Sequence, residues 1–219
     1  MTNTLLLDVD GTLVDTNYHH AVAWVRAFRS AGLTVPAWRV HRAIGMGGDR
    51  LVEAVAGEHT EAEHGDELRK AWEQEFEPLL DEISPLEGAH RLVTSAVSEH
   101  GLHVVLASSG KREHIEHYLD LLDIRDVITA FTTSEDAEDS KPAPDLLQVA
   151  LSQVDAERAV VIGDSVWDCD AAKRIGLPVV ALRTGGFGEA ELREHGASSV
   201  YEALDNLRAD LADLPFATV

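Results

Sequence analysis

Leu5-Leu6-Leu7-Asp8-Val9-Asp10-Gly11, near the start of the 219-residue chain, is an apolar run that ends in two acids and a glycine. Such a run predicts a buried strand of a parallel sheet that terminates in a loop. Four later stretches resemble it, the last less clearly: residues 102–107, 159–162, 178–182 and 129–133. Helical patterns separate them: residues 112–122, 144–153 and 167–175. Alternating strands and helices predict an α/β fold with a doubly wound parallel sheet.

The stretch after the first strand differs from the rest of the chain. Residues 16–85 contain no strand-like run and have the pattern of successive amphipathic helices, interrupted by glycine and proline. An all-helical insertion here is expected to cover the carboxyl ends of the strands, where open α/β sheets bind ligands. We therefore predict a core of residues 1–15 and 86–219 with a helical cap of residues 16–85. Residues 201–211 have the pattern of a surface helix.

The composition restricts the partners of this chain. Its 39 acidic and 18 basic side chains give a formal net charge of −21, which repels nucleic acids and anionic membrane surfaces. A phosphate site in such a protein needs a local positive charge. The single cysteine, Cys169, excludes an internal disulfide, and no run approaches the roughly 18 apolar residues of a membrane span. We expect a cytoplasmic monomer that binds neither nucleic acid nor membrane.

Asp8 and Asp10 are the first candidates for chemistry. They are two residues apart at the end of an extended strand, so their side chains project to the same side. Paired oxygen ligands suit a hard cation such as Mg²⁺, and the cation keeps a carboxylate ionised and able to act as a nucleophile. Gly11 and Thr12 follow in a tight turn whose amides are expected to face a phosphate. An acidic pair that merely caps a turn is the alternative.

Ser108 and Lys141 are candidate ligands of a phosphate. Ser108 follows an apolar strand, and its hydroxyl and the amides of Ser109 and Gly110 are placed to bind phosphate oxygens at a helix N-terminus. The same cluster is also typical of an ordinary helix cap. Lys141 lies in a loop stiffened by two prolines, and it supplies the cation that the negative net charge requires near a phosphate.

Asp164 and Asp168 form a further acidic corner. In Gly163-Asp164-Ser165-Val166-Trp167-Asp168, the first acid lies at a strand end and the second lies one turn into the next helix. The alternative is local: Asp164 or Ser165 caps the helix, and Asp168 is a favourable charge in its first turn. Polar residues at several strand ends of one sheet favour a shared site.

Two residues of the predicted cap are candidates for substrate contact. His19 and His20 are adjacent on a helix and point in different directions, so at most one of them faces the site, and we select His20. Packing is the alternative role for this side chain. Arg50, in the glycine-rich run of residues 45–50, is a candidate ligand of an anionic leaving group, with an ordinary interhelical turn as the alternative.

The order of these motifs resembles the haloacid dehalogenase-like hydrolase superfamily. The resemblance spans nearly the whole chain and rests on four segments: Asp8-Val9-Asp10-Gly11-Thr12-Leu13-Val14-Asp15, Ser108, Lys141-Pro142 and Gly163-Asp164-Ser165-Val166-Trp167-Asp168. It implies a Rossmann-like core with an inserted helical cap. It also implies that Asp8 attacks phosphorus, and that Asp10 protonates the leaving oxygen and later activates water.

The same resemblance implies a Mg²⁺ site and a phosphate site. Asp8, the backbone carbonyl of Asp10, and Asp164 would hold the metal, with Asp168 supporting them. Ser108 and Lys141 would bind the oxygens of the transferring phosphoryl group.

Within that superfamily the sequence favours a phosphatase. The dehalogenases lack a second acid at the position of Asp10 and use no metal, so dehalogenation is disfavoured. Residues 15–24 are similar to β-phosphoglucomutases, which makes a sugar phosphomutase the alternative, but residues 45–50 depart from the mutase loop. A non-enzymatic phosphate-binding module is less favoured because every motif is complete. We expect a hydrolase of a small phosphorylated metabolite: phosphoglycolate, a sugar phosphate or a nucleotide.

Overall fold

The apolar run at the start of the chain is the central strand of the sheet. The computed structural model describes residues 3–219. Its strands are β1 (Asn3–Leu7), β2 (His103–Ala107), β3 (Ala130–Thr132), β4 (Arg158–Gly163), β5 (Val179–Leu182), β6 (Ala197–Tyr201) and β7 (Ala217–Thr218). The first six are parallel in the order β3-β2-β1-β4-β5-β6, and β7 pairs antiparallel with β4. The predicted α/β, doubly wound parallel sheet is confirmed.

Both faces of the sheet are covered by helices. Leu5 and Leu7 of β1 belong to one hydrophobic cluster, and Leu6 belongs to the cluster on the opposite face. This division follows from the strand, in which successive side chains point to opposite faces. The helices that follow residue 88 are α5 (Ala89–Ser98), α6 (Arg112–Leu122), α7 (Asp145–Ser152), α8 (Val166–Arg174), α9 (Glu189–Glu194) and α10 (Leu204–Ala209).

The segment between β1 and α5 is helical, as its sequence predicts. It contains α1 (Asn17–Ser30), α2 (Ala37–Ala43), α3 (Gly48–Ala56) and α4 (Glu58–Phe76), followed by a 3₁₀ turn (Glu77–Glu82). These helices have a hydrophobic cluster of their own, which includes Trp24, Phe28 and Leu68. The division of the chain into core and cap domains stays a prediction.

The two ends of this helical segment lie side by side. The amide of Asp15 donates to the carbonyl of Ser84 at 2.9 Å, and the amide of Leu86 donates to the carbonyl of Leu13 at 2.9 Å. The chain therefore leaves the sheet region and returns to it through a pair of antiparallel segments. This arrangement places α1 directly after the acidic loop that ends β1.

The C-terminal part differs from the sequence expectation. Residues 201–211 were expected to form one helix, but Tyr201 ends β6 and α10 covers only residues 204–209. β6 is an edge strand whose residues are mostly half-buried, so it lacks the apolar run that marks the central strands. β7 has only two residues, which is too short to produce a pattern. No helix within residues 3–219 is long and apolar enough to cross a bilayer.

Candidate active site

Three neighbouring strands end in polar residues at one edge of the sheet. Asp8 follows β1, Ser108 follows β2 and Asp164 follows β4, and β1 lies between the other two strands. Parallel strands have their carboxyl ends at the same edge, so the topology gathers these residues, which are far apart in the sequence.

Three buried carboxylates form the centre of the site. Asp8, Asp164 and Asp168 each place an oxygen so that all three oxygens lie within 4.8 Å of one another. The side chains are only 7%, 2% and 1% exposed, respectively. Burial, reinforced by Asp168 and Asp10 and opposed by Lys141, raises the pKa of Asp8 to about 7. Burial and the charges of Asp8 and Asp168 raise the pKa of Asp164 as well.

This cluster fits a divalent cation. Carboxylate oxygens are the ligands that Mg²⁺ prefers, and concentrated buried negative charge is unfavourable unless a cation compensates it. The three acids therefore provide a donor set of the right chemistry. The side chain of Asp10 points to other partners, so this cluster is formed by Asp8, Asp164 and Asp168.

Lys141 provides the positive charge inside the cluster. Its Nζ contacts Oδ1 of Asp8 and lies 2.7 Å from Oδ1 of Asp168, and the side chain is 2% exposed. Burial lowers the pKa of Lys141, but the charges of Asp168 and Asp8 outweigh burial and raise it overall. The predicted cation beside the acids is thus present as a buried ammonium group.

Asp168 has both a local and a long-range role. Its Oδ2 accepts hydrogen bonds from the hydroxyl of Ser165 at 2.6 Å and from the amide of Ser165 at 3.1 Å, which completes a capping box at the start of α8. Its other oxygen, Oδ1, faces Lys141. Asp168 therefore takes part both in the local helix cap and in the contacts of the acid cluster with Lys141.

Asp10 has different surroundings. Its Oδ1 accepts a hydrogen bond from the hydroxyl of Thr16 at 2.7 Å and lies 3.1 Å from Nε2 of His20. Burial acts to raise the pKa of Asp10, but the bonds and charge of His20 and the bond of Thr16 outweigh burial and lower it. His20 is stacked on Phe76 with ring centroids 4.1 Å apart. His20 lines the cavity described below, and its Nε2 is directed at Asp10.

Asn17 contacts the carboxylate of Asp164, one of the three acids in the cluster. Its Nδ2 donates to Oδ2 of Asp164 at 2.6 Å, and the residue is 5% exposed. Sequence reasoning missed both Thr16 and Asn17. Their only signal is position, because they directly follow the acidic loop where α1 begins.

The backbone amides of Gly11 and Thr12 are not free to bind a phosphate. The amide of Gly11 donates to the carbonyl of Val14 at 2.8 Å, and the amide of Thr12 donates to the carbonyl of Val9 at 3.2 Å. That prediction is wrong because the turn uses these donors itself. Gly11 has φ +73°, and a Cβ there would collide with Asp164 and Asn17. The hydroxyl of Thr12 donates to Oδ2 of Asp8 at 3.3 Å.

The loop after β2 lies beside these acids. The hydroxyl of Ser108 accepts a hydrogen bond from the amide of Gly110 at 2.9 Å, so Gly110 is not a free phosphate donor. Ser109 and Gly110 line the cavity. Ser108 is fully buried at the end of its strand.

A cavity of about 500 Å³ opens between the strand ends and the helical segment. Asp8 and Asp10 line it from the sheet side, and Trp24, Met46 and Trp72 line it from the helical side. This volume is within the usual range for small-molecule sites.

Arg50 lies outside the lining of that cavity. Its Nη2 pairs with Oδ1 of Asp139 at 2.7 Å. This placement is contrary to the expected role of Arg50 as a ligand of the leaving group. The neighbouring glycine-rich loop contacts the core through Ser140, whose hydroxyl donates to Oδ1 of Asp49 at 2.6 Å and accepts from the amide of Gly47 at 3.0 Å.

Known proteins share this sequence pattern and this fold. Residues 5–182 match the family model of the haloacid dehalogenase-like hydrolases. A hydrolase from Pseudomonas syringae superposes with a TM-score of 0.89 at 31% identity, over 98% of this chain and 99% of that one. The pyrophosphatase PpaX of Bacillus thuringiensis is 23% identical over 97% of each chain. A phosphoglycolate phosphatase of Mesorhizobium japonicum is 40% identical over 75 residues, which is 33% of each chain.

Proposed function

The chain belongs to the haloacid dehalogenase-like hydrolases, and on this basis we propose that it is a Mg²⁺-dependent phosphatase that hydrolyses a small phosphate monoester through an aspartyl-phosphate on Asp8. The observation that carries this proposal is the placement of Asp8, which lines the cavity and contacts the buried ammonium of Lys141. A carboxylate nucleophile beside a fixed cation is suited to attack on an anionic phosphoryl group.

In the first step a carboxylate oxygen of Asp8 attacks phosphorus. The new bond joins that oxygen to phosphorus, and the bond between phosphorus and the leaving oxygen breaks with its electron pair on the leaving oxygen. Lys141 neutralises charge on the phosphoryl oxygens. Ser108 lies at the adjacent strand end, and its hydroxyl is proposed as a further ligand of these oxygens.

Asp10 is the proton carrier of the proposed reaction. In the structure its lowered pKa makes it ionised, which suits the second step, in which it removes a proton from the attacking water. The water oxygen then bonds to phosphorus while the bond between phosphorus and Asp8 breaks, which restores the Asp8 carboxylate and releases phosphate. In the first step it must instead give a proton to the leaving oxygen. A bound phosphoryl group is a negative charge close to Asp10 and raises its pKa, so substrate binding favours the protonated form. Thr16 and His20 fix the orientation of the carboxylate.

Asp8 and Asp164 would hold Mg²⁺, with Asp168 contributing to the same cluster. The ion supplies charge neutralisation for the phosphoryl oxygens and keeps the Asp8 carboxylate ionised. This matters because burial and the neighbouring acids raise the pKa of Asp8 to about 7 even with Lys141 beside it, and a protonated Asp8 is not a nucleophile.

The helical residues 16–85 are proposed to act as a cap that closes over the bound substrate. The contacts of Asp49 and Gly47 with Ser140 lie next to Lys141, so the cap loop and the phosphate-binding lysine are neighbours. Closure would exclude water while Asp8 attacks. A phosphatase is favoured over a phosphomutase because two curated relatives are a phosphoglycolate phosphatase and a pyrophosphatase.

The test is phosphate release from a panel of small phosphate esters, with Mg²⁺ and with EDTA, for wild type and Asp8→Asn. We expect steady release with Mg²⁺, none with EDTA and none above background for the variant. Release that continues in Asp8→Asn would refute the proposed nucleophile. Release that requires a bisphosphorylated sugar as activator would indicate a mutase.

A further inference from the structure

Asn17 connects the helical segment to the acid cluster of the core. It is the first residue of α1, and its Nδ2 donates to Oδ2 of Asp164, 147 residues away in the sequence, at 2.6 Å. Both residues are buried, at 5% and 2% exposure. Within residues 3–219, Asn17 is the one hydrogen-bond donor to the Asp164 carboxylate.

The position of that carboxylate oxygen is strictly limited. A Cβ on Gly11 would collide with Oδ2 of Asp164 and with Asn17, and a Cβ on Gly185 would collide with the same oxygen. Two glycines therefore make space for Oδ2, and Asn17 supplies its hydrogen bond. Because this bond holds one carboxylate oxygen, it also fixes the direction in which the other oxygen points.

The amide of Asn17 is incompletely bonded. Its Oδ1 is buried and has no hydrogen-bond partner within the described part of the chain. A buried acceptor without a donor is unfavourable, so this oxygen needs a donor that residues 3–219 do not provide. A hydrated cation brings O–H donors with it, because Mg²⁺ usually keeps several of its waters.

We infer that Asn17 is a positioning residue of the metal site: it orients Asp164 for cation binding, so a residue of the helical segment contributes directly to metal affinity. The inference rests on the proposed function only in taking the acid cluster as the Mg²⁺ site. A role limited to packing would give Asn17 an effect on stability alone. An orienting role gives it an effect on the dissociation constant for Mg²⁺.

The test is calorimetric titration of Mg²⁺ into metal-free protein, combined with the rise in melting temperature that Mg²⁺ produces. Asn17→Leu keeps the branched shape of the side chain and removes the amide, and Asn17→Ala removes the amide without risk of a clash. Asn206→Leu makes the same substitution at an exposed asparagine of α10 and serves as the matched control.

We expect both Asn17 variants to weaken Mg²⁺ binding by about 10- to 100-fold, the usual effect of losing a partner of a metal ligand. Asn206→Leu should bind as wild type does, and the activity of the Asn17 variants should recover at high Mg²⁺. Wild-type Mg²⁺ affinity in both Asn17 variants, even with a lowered melting temperature, would overturn the inference. A wild-type protein that binds no Mg²⁺ would overturn both the inference and the proposed metal dependence.

Discussion

Asp8 and Asp10 lie two residues apart on one loop, yet their surroundings shift their pKa values in opposite directions. Burial, reinforced by the charges of Asp168 and Asp10 and opposed by Lys141, raises the pKa of Asp8 to about 7, whereas the contacts of Asp10 with His20 and Thr16 lower its pKa. Two identical side chains thus acquire different chemistry from their neighbours. A positive charge beside Asp8 therefore favours its ionised form, whereas Asp10 is already stabilised in its ionised form by hydrogen bonds.

Thr16 and Asn17 are neighbours in the sequence but bond to different acids of the site. Thr16 bonds to Asp10, and the next residue, Asn17, bonds to Asp164 in the acid cluster. Adjacent residues at the start of α1 therefore contact two different parts of the site. We call these the Asp8 side, which comprises the residues Asp8, Asp164, Asp168 and Lys141, and the Asp10 side, which comprises Asp10, Thr16 and His20. Substitutions at each side should produce distinct effects, and the following predictions use that contrast.

The largest effect is expected from Lys141→Met, which removes the cation from the Asp8 side. Asp8 and Asp168 would lose their buried partner, which costs about 3–5 kcal/mol of unfolding free energy. The turnover number should fall by about 10²- to 10³-fold because a charge-stabilising group is lost. Chemical denaturation and steady-state kinetics measure the two effects. Lys173→Met, at an exposed position of α8, should change neither. Near-normal turnover in Lys141→Met would remove Lys141 from the mechanism.

The dependence of stability on pH should reveal the raised pKa of Asp8. Its pKa rises from 3.8 to about 7 on folding, so its stabilising contribution is complete below pH 3.8 and is lost as the pH approaches 7. Asp8→Asn has no group that titrates at this position, so its stability does not fall in this way as the pH rises. In EDTA, the free energy of unfolding of the variant should therefore increase relative to that of wild type between pH 4 and 7, by an amount on the order of a few kcal/mol. Urea denaturation at several pH values measures the difference. Mg²⁺ should abolish it, and a difference that is constant with pH would contradict the assignment.

The smallest effect is expected on the Asp10 side, from Thr16→Val. The loss of one hydrogen bond to a charged group should lower the free energy of unfolding by about 1.5–3 kcal/mol, and a less firmly oriented Asp10 should lower the turnover number by roughly 10-fold. Because the lost donor favours the ionised carboxylate, the pKa of Asp10 should rise and the acidic limb of the pH–rate profile should move to higher pH. Mg²⁺ affinity should be unchanged, in contrast to the Asn17 variants. Thr94→Val, whose hydroxyl bonds only to its own helix, is the control. Weakened Mg²⁺ binding in Thr16→Val would show that the two sides are not independent.

The sequence predicted the central strands and the residues at their ends. Asp8, Ser108 and Asp164 follow apolar runs that form β1, β2 and β4, because strands buried on both faces need continuous apolar residues. β6 and β7 were missed, since an edge strand and a two-residue strand carry no such run.

The site was only partly predictable because some of its contacts depend on how distant segments pack in the fold. Lys141 was anticipated because a phosphate site in an acidic chain requires a cation. Asn17 was not, since its bond to Asp164 depends on how the start of α1 lies against the end of β4. The amides of Gly11 and Thr12 were assigned to phosphate because sequence does not show that the turn already uses them.

The paired hydrogen bonds between Asp15 and Ser84 and between Leu86 and Leu13 have an evolutionary consequence. Because the chain departs and returns at adjacent points, the intervening helices can lengthen, shorten or be exchanged without altering the length of any strand. Selection can therefore change the helical residues that line the cavity while the residues at the strand ends stay the same. Asn17 limits this freedom, because an exchanged segment must still begin with a residue that reaches Asp164.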